Sequence, residues 1–322
     1  MSLQRPPSRD SPSRVFVRFV VLVVLLVLVA IVVWTAVTRQ RIELIESASL
    51  ESLERGDTAM ASGLSLALED RIGGPIPVVL LHDFDVSGRL LLEELASEIT
   101  GRFHPVLIDL PGFGLSQRIP EPGDPHTVSS MAEAVGIVIS ERFELPVVIA
   151  GVGLGGQVAA EVALTNPDIV RGLVMIDADF SSDPDWVEVA EVSPYIGLAV
   201  VHTFEASGRF GVDRWAPRCD EGGWCPTADQ VVRRDLAASV AGTTASLHSF
   251  LTTPRSSLVP SELGSISVLT AYVWSTDGPV PEESVVMISD RMPDALIIES
   301  DVWKAHLQDP DAIVDAINQV GR

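Results

Sequence analysis

Pro146-Val-Val-Ile-Ala-Gly-Val-Gly-Leu-Gly-Gly156 decides how this chain folds. Pro146 to Ala150 is a short, continuous apolar run, the mark of a strand buried on both faces. Four glycines in the next six residues require a tight turn, and Gln157–Leu164 continues at helical spacing. Working outward, Pro77–His82, His104–Asp109 and Gly172–Asp177 read as further buried strands. Val128–Phe143 reads as a helix, and Ser87 is placed to cap another that runs through Leu92, Leu95 and Ile99. The alternation stops from Ser181 to about Gly264, a polar stretch bearing Trp186, Trp215 and Trp224. It resumes with a strand at Ile266–Trp274, a helix at Glu282–Arg291, a strand at Ala295–Glu299 and a closing helix at Asp309–Val320. The fold class is therefore α/β, a mostly parallel, doubly wound sheet with a lid inserted before its last two units.

The N-terminus carries a different signal. Phe19 to Val37 is 19 residues without a charge, with Thr35 its one polar side chain. At helical rise it spans roughly 28 Å, close to the hydrocarbon core of a bilayer. Trp34 lies two positions before Ala36, which fits a small-x-small cleavage site badly, so the run reads as a retained anchor. Arg5, Arg9, Arg14 and Arg18 precede it, against Arg39, Arg41 and the more distant Arg55 beyond. That excess favours a cytoplasmic N-terminus and an exported body. The expected partner is a lipid bilayer, through residues 19–37.

Residues 1–37 hold four Arg and one Asp, so the chain's net charge of −22 leaves −25 on the remainder. A remainder that acidic is a poor partner for nucleic acid or an anionic membrane surface, and solubility is the preferred reading of the charge. The expected organisation is a disordered cytoplasmic tail (1–18), anchor (19–37), stalk (38–64), first core part (65–180), lid (181–264) and second core part (265–322). Cys219 and Cys225 are the only cysteines. In an exported body they are a disulfide candidate, contributing about 2 kcal/mol by loop entropy. Two cysteines alone make no structural zinc site, and neither a metal nor a cofactor is expected.

Three motifs fall at matching places in this order. His82-Asp-Phe84 follows one strand, Asp109-Leu-Pro-Gly-Phe-Gly-Leu-Ser116 the next, and Gly151-Val-Gly-Leu-Gly155 opens a helix. Together they resemble the α/β-hydrolase superfamily, whose counterparts read H-G-x, D-x-P-G-x-G-x-S and G-x-S-x-G. The resemblance covers about residues 65 to 321 and implies a lidded serine hydrolase with backbone oxyanion donors at Phe84 and Leu154. Its departures matter more. Gly153 stands where the nucleophilic serine belongs. Gln308-Asp-Pro310 occupies the place of a family E-x-P tripeptide, which puts Trp303 at the catalytic histidine position. Asp277 is the implied remnant acid, and His306 a substitute base, weighed against a surface or lid-contacting role. Asp83, replacing a family glycine, brings a carboxylate toward the oxyanion hole, and Ser116 is implied to be a turn-stabilising hydroxyl. The resemblance thus implies a degenerate hydrolase, binding a small apolar ligand or a protein partner.

Two other readings stay open. Gly151-x-Gly153-x-x-Gly156 after a strand, with Asp177 21 residues on, also fits a dinucleotide fingerprint. An active hydrolase with a displaced catalytic group, using Asp177 or Asp179 as acid and His306 as base, is the second.

Overall fold

The apolar N-terminal run becomes part of a single helix, α1 (Pro12–Ile45), in the computed structural model of the chain. The structure describes residues 12–121, 124–180, 194–205, 219, 224–253 and 260–322. Trp186, Trp215 and residues 1–11 of the expected tail lie outside them. Among the described residues, Phe16–Ile45 is long and apolar enough to cross a membrane, and most of its apolar side chains are exposed.

The segment read as a stalk is only partly one. β1 (Asp57–Ala61) and β2 (Leu64–Asp70) form an antiparallel hairpin within and beyond it. Ser62 and Gly63 both sit at positive φ (48° and 78°), the backbone that a two-residue hairpin turn requires. The Ser-Gly pair between two alternating segments was the available signal. Before the hairpin, the chain docks on the body. Ala48 bridges to Val240, and Glu46 accepts hydrogen bonds from the amides of Gly242 (3.1 Å) and Thr244 (2.8 Å).

Six further strands follow: β3 (Ile76–Leu81), β4 (Phe103–Ile108), β5 (Val147–Val152), β6 (Val170–Ile176), β7 (Leu269–Ser275) and β8 (Leu296–Ser300). They build one sheet in the order β1-β2-β4-β3-β5-β6-β7-β8, parallel from β4 onward. β3, β5 and β6 are apolar along nearly their whole length because helices cover both faces. α2 (Glu93–Glu98) and the closing helix lie on one side; α3 (Val128–Arg142) and α4 (Leu154–Thr165) lie on the other. Ser87 donates to Asp85 instead of capping a helix, and a 3₁₀ turn (Gly88–Leu92) precedes α2.

Between β6 and β7 come α5 (Pro194–Glu205), α6 (Ala228–Ala238) and α7 (Thr243–Thr252), in the expected lid. α5 packs on both α1 and α7, so the N-terminal helix and the lid are in direct contact. Trp224 ties the lid to the core by donating to Glu94 (2.9 Å), and a disulfide joins Cys219 to Cys225. The chain ends with α8 (Glu282–Arg291), the short α9 (Ala305–Gln308) and α10 (Pro310–Val320), whose first turn Asp309 caps.

Candidate functional site

The turn from β5 into α4 is a sharp elbow at the C-terminal end of the central strands. Gly153 sits at its tip with φ 51° and ψ −113°, outside the comfortable range of a residue with a Cβ. Gly155 is fixed by a different constraint: a Cβ there would stand 2.4 Å from the Leu81 carbonyl oxygen, inside backbone. The niche above Gly153 is occupied by a side chain instead. A Cβ on Gly153 would fall 2.0 Å from Asp83 Oδ1 and 2.4 Å from its Cγ.

Asp83 reaches that niche from the loop after β3. Its Oδ1 accepts a hydrogen bond from the Leu154 amide (3.0 Å), the first N–H of α4, where the helix dipole favours negative charge. Among the described residues no hydrogen bond is made to Oδ2. The loop is braced from beneath by His82. Its Nε2 accepts from the Leu110 amide (2.9 Å) and its Nδ1 donates to the Asp83 carbonyl (2.6 Å). Burial pushes the His82 pKa down, and both bonds suit the neutral ring. Above, the Phe84 ring stacks on Phe250 of α7 (5.0 Å) and meets Phe113 edge-on (5.4 Å). α7 of the lid thus packs against this side.

Two carboxylates were in question at the neighbouring strand ends. Asp277 is exposed in the turn after β7. Asp177, at the end of β6, is buried and held at φ 47°. It accepts hydrogen bonds from the Ser275 amide (2.7 Å) and hydroxyl (2.6 Å), and Ser275 Oγ in turn accepts from the Ala305 amide (2.9 Å). Burial raises its pKa to about 6, partly offset by the Ser275 bonds; Asp83 nearby raises it further, and Lys304 lowers it. Of these two acids the buried one is Asp177. It braces the loop that leads into α9.

That loop holds the remaining groups. Trp303 is half-buried, with Lys304 Nζ 4.7 Å from its ring centroid. His306 is not on the surface: it is 3 % exposed, and among the described residues its Nδ1 has no hydrogen-bond partner. Burial first, and then the Lys304 charge, push its pKa well below the usual imidazole range. Asp83, Phe84, Leu91, Leu92, Lys304 and His306 line one cavity of about 70 Å³. Sequence reading passed over Lys304, whose one available signal was its place next to Trp303 in the loop after the last strand.

The arrangement brings Gly153, Leu154, Phe84 and His306 to one place, with Asp83 among them; Asp277 faces solvent. It speaks against a dinucleotide. The amide at the start of α4 that would receive a pyrophosphate is taken by the protein's own carboxylate, and Asp177 is committed to Ser275. Asp109 and Ser116 serve the backbone. Asp109 accepts from the Arg89 amide (2.7 Å), Arg89 Nη1 (2.6 Å) and the Leu115 amide (2.9 Å), while Ser116 joins the Asp109 carbonyl to the Ala67 amide.

A model of the alpha/beta hydrolase family matches residues 78–316. Among curated proteins, the pimeloyl-[acyl-carrier protein] methyl ester esterase of Proteus mirabilis is 31% identical over 115 residues, 35% of this chain and 41% of the relative. The chain spans under half the length of the curated relatives it matches. A thermophilic esterase from Thermogutta terrifontis superposes with a TM-score of 0.62 at 22% identity, over 82% of this chain and 97% of its own. A membrane phospholipase A described as a bacterial virulence factor gives 0.62 at 19% identity, over 96% of this chain and 97% of its own.

Proposed function

Since the chain belongs to the alpha/beta hydrolase family, we propose that it is a membrane-anchored member without serine-type acyl transfer, whose cavity beside Asp83 binds a small apolar ligand. One observation carries this reading: the niche of the nucleophile holds the Asp83 carboxylate, hydrogen-bonded to the amide that should stabilise an oxyanion. Two negative charges do not share one donor, so Asp83 opposes the charge that builds up on an ester carbonyl. The base is missing as well, because Trp303 offers an indole. Loss of serine or histidine alone costs about 10⁶ in a well-studied triad.

The esterase relatives support hydrolase ancestry, and the N-terminal helix, long and apolar enough to cross a membrane, supports the anchor. The disulfide supports an oxidising compartment for the body, with the N-terminus cytoplasmic as the arginines favour. Full-length protein in detergent micelles, offered short p-nitrophenyl esters, should show no turnover above the blank. Hydrolysis at ordinary enzyme rates overturns the reading. Gly153→Ser alone should stay inactive, and NAD or NADP should leave the melting temperature unchanged. An impermeant thiol reagent in intact cells should label Cys219 and Cys225 only after reduction.

A further inference from the structure

We propose that the groove between the N-terminal helix and the lid holds one phospholipid of the bilayer, a zwitterionic one with an ethanolamine head. The proposal rests on the reading of residues 19–37 as a membrane anchor. It is independent of the elbow, since the groove shares no lining residue with the cavity beside Asp83. Its volume is about 610 Å³, within the range of small-molecule sites. α1 and the residue after it supply Val32, Ala36, Arg39, Glu43 and Glu46. These are spaced by four and three residues in turn and so lie on one helix face. Leu198 of α5 and Ala245 of α7 line the groove from the lid.

The order of these residues along α1 selects the ligand. Val32 and Ala36 belong to the uncharged run and meet hydrocarbon. Trp34, 39% exposed, marks the membrane interface close by. Arg39 follows at the level of lipid phosphates, which a guanidinium binds through two parallel hydrogen bonds. Glu43 stands one turn further on, about 6 Å along the axis. That is comparable to the span from phosphate to ammonium in an ethanolamine head. Arg39 and Glu43 pair with each other at 3.7 Å, with both side chains 69% exposed. Such a pair contributes little in water, so a headgroup displaces it easily. Glu46 is already committed to the amides of Gly242 and Thr244. An anionic lipid would satisfy Arg39 but leave Glu43 opposed, beside a body of strongly negative net charge.

The test is native mass spectrometry of full-length protein released from nanodiscs of equal phosphatidylethanolamine and phosphatidylglycerol. One phosphatidylethanolamine should stay bound per chain. Glu43→Gln should lower its retention about tenfold, the worth of one charge-assisted hydrogen bond, and leave phosphatidylglycerol unchanged. Arg39→Gln should lower both. Arg39→Glu combined with Glu43→Arg keeps both charges and their local pair but inverts their order along the helix, so retention should stay low. Recovery to the wild-type level in that double variant overturns the proposal. So does a wild type that keeps no lipid, that prefers phosphatidylglycerol, or that pairs with a second copy in the lipid's place. Both positions are exposed, and unchanged melting temperatures in detergent should show that the variants are folded. If alkaline carbonate extracts the wild type from membranes, the anchor reading falls together with the site. If the protein resists extraction yet retains no lipid, only the lipid site falls.

Discussion

Two loops at the same end of the sheet have met opposite fates. The loop after β4, Asp109 to Ser116, keeps every residue of its motif, and each polar group in it has a backbone task. The elbow after β5 keeps its glycine frame and carries Gly153 at its tip, where the family resemblance places a serine. The difference teaches which constraints are steric and which are chemical. Gly155 cannot change, because its Cβ would overlap the Leu81 carbonyl. Gly153 is the strain-free occupant of a strained position, and replacing serine there relieves of order 1–3 kcal/mol. Backbone packing holds the frame in place whether or not any chemistry passes through it.

The contrast is broken most directly at the loop after β4. Arg89 and Asp109 form a buried pair at 2.6 Å, with side chains 10% and 2% exposed. Arg89→Ala should cost about 3–5 kcal/mol in urea unfolding, because it strands a buried carboxylate. A cost under 1 kcal/mol, the value of a surface pair, would show that this loop is no more structural than the elbow.

The second test concerns Asp177, whose folded pKa of about 6 lies above its ordinary 3.8. As pH rises, the unfolded chain releases this proton first, so the group's contribution is fully present below pH 4 and is lost through pH 6. The loss is about 3 kcal/mol by linkage. Urea midpoints of wild type and Asp177→Asn should converge or cross between pH 4 and 7, since asparagine tolerates the same positive φ but does not titrate. A constant difference across that range removes Asp177 as the buried acid.

Gly153→Ser should then destabilise by about 1–3 kcal/mol, from positive φ and from displacing the Asp83 carboxylate. Asp83→Gly in the same chain should recover about 1 kcal/mol or more as a coupling term. Strict additivity would mean that the two side chains do not compete for one niche. The smallest effect is expected from Ser116→Ala. It removes the hydroxyl between the Ala67 amide and the Asp109 carbonyl and should cost about 1–2 kcal/mol, with no change in any ligand binding.

Much of this was legible in the chain itself. Continuous apolar runs located the parallel strands to within about three residues, because a strand covered on both faces has no polar side to alternate with. The glycine spacing located the elbow. β1 and β2 were missed because an edge hairpin needs few apolar residues: Asp57, Thr58 and Met60 are exposed, and Ala61 is the one buried residue of the first strand. The choice between Asp177 and Asp277 was likewise hidden. Both follow a strand end, and only their burial in the folded chain separates them.

Sequence alone determined that a hydrophobic span precedes an α/β body, that Gly153 has no atom to attack with, and that Trp303 has no imidazole. Those are statements about single residues or local periodicity, and they need no partner. What fills the vacated niche was decided by the tertiary structure. Asp83 and Leu154 are 71 residues apart and meet because β3 and β5 are neighbours in the sheet and deliver their loops to the same edge. A local pattern can report that a side chain is missing. Only the packing of distant strands determines which other group takes its place, and therefore what chemistry the site can still perform.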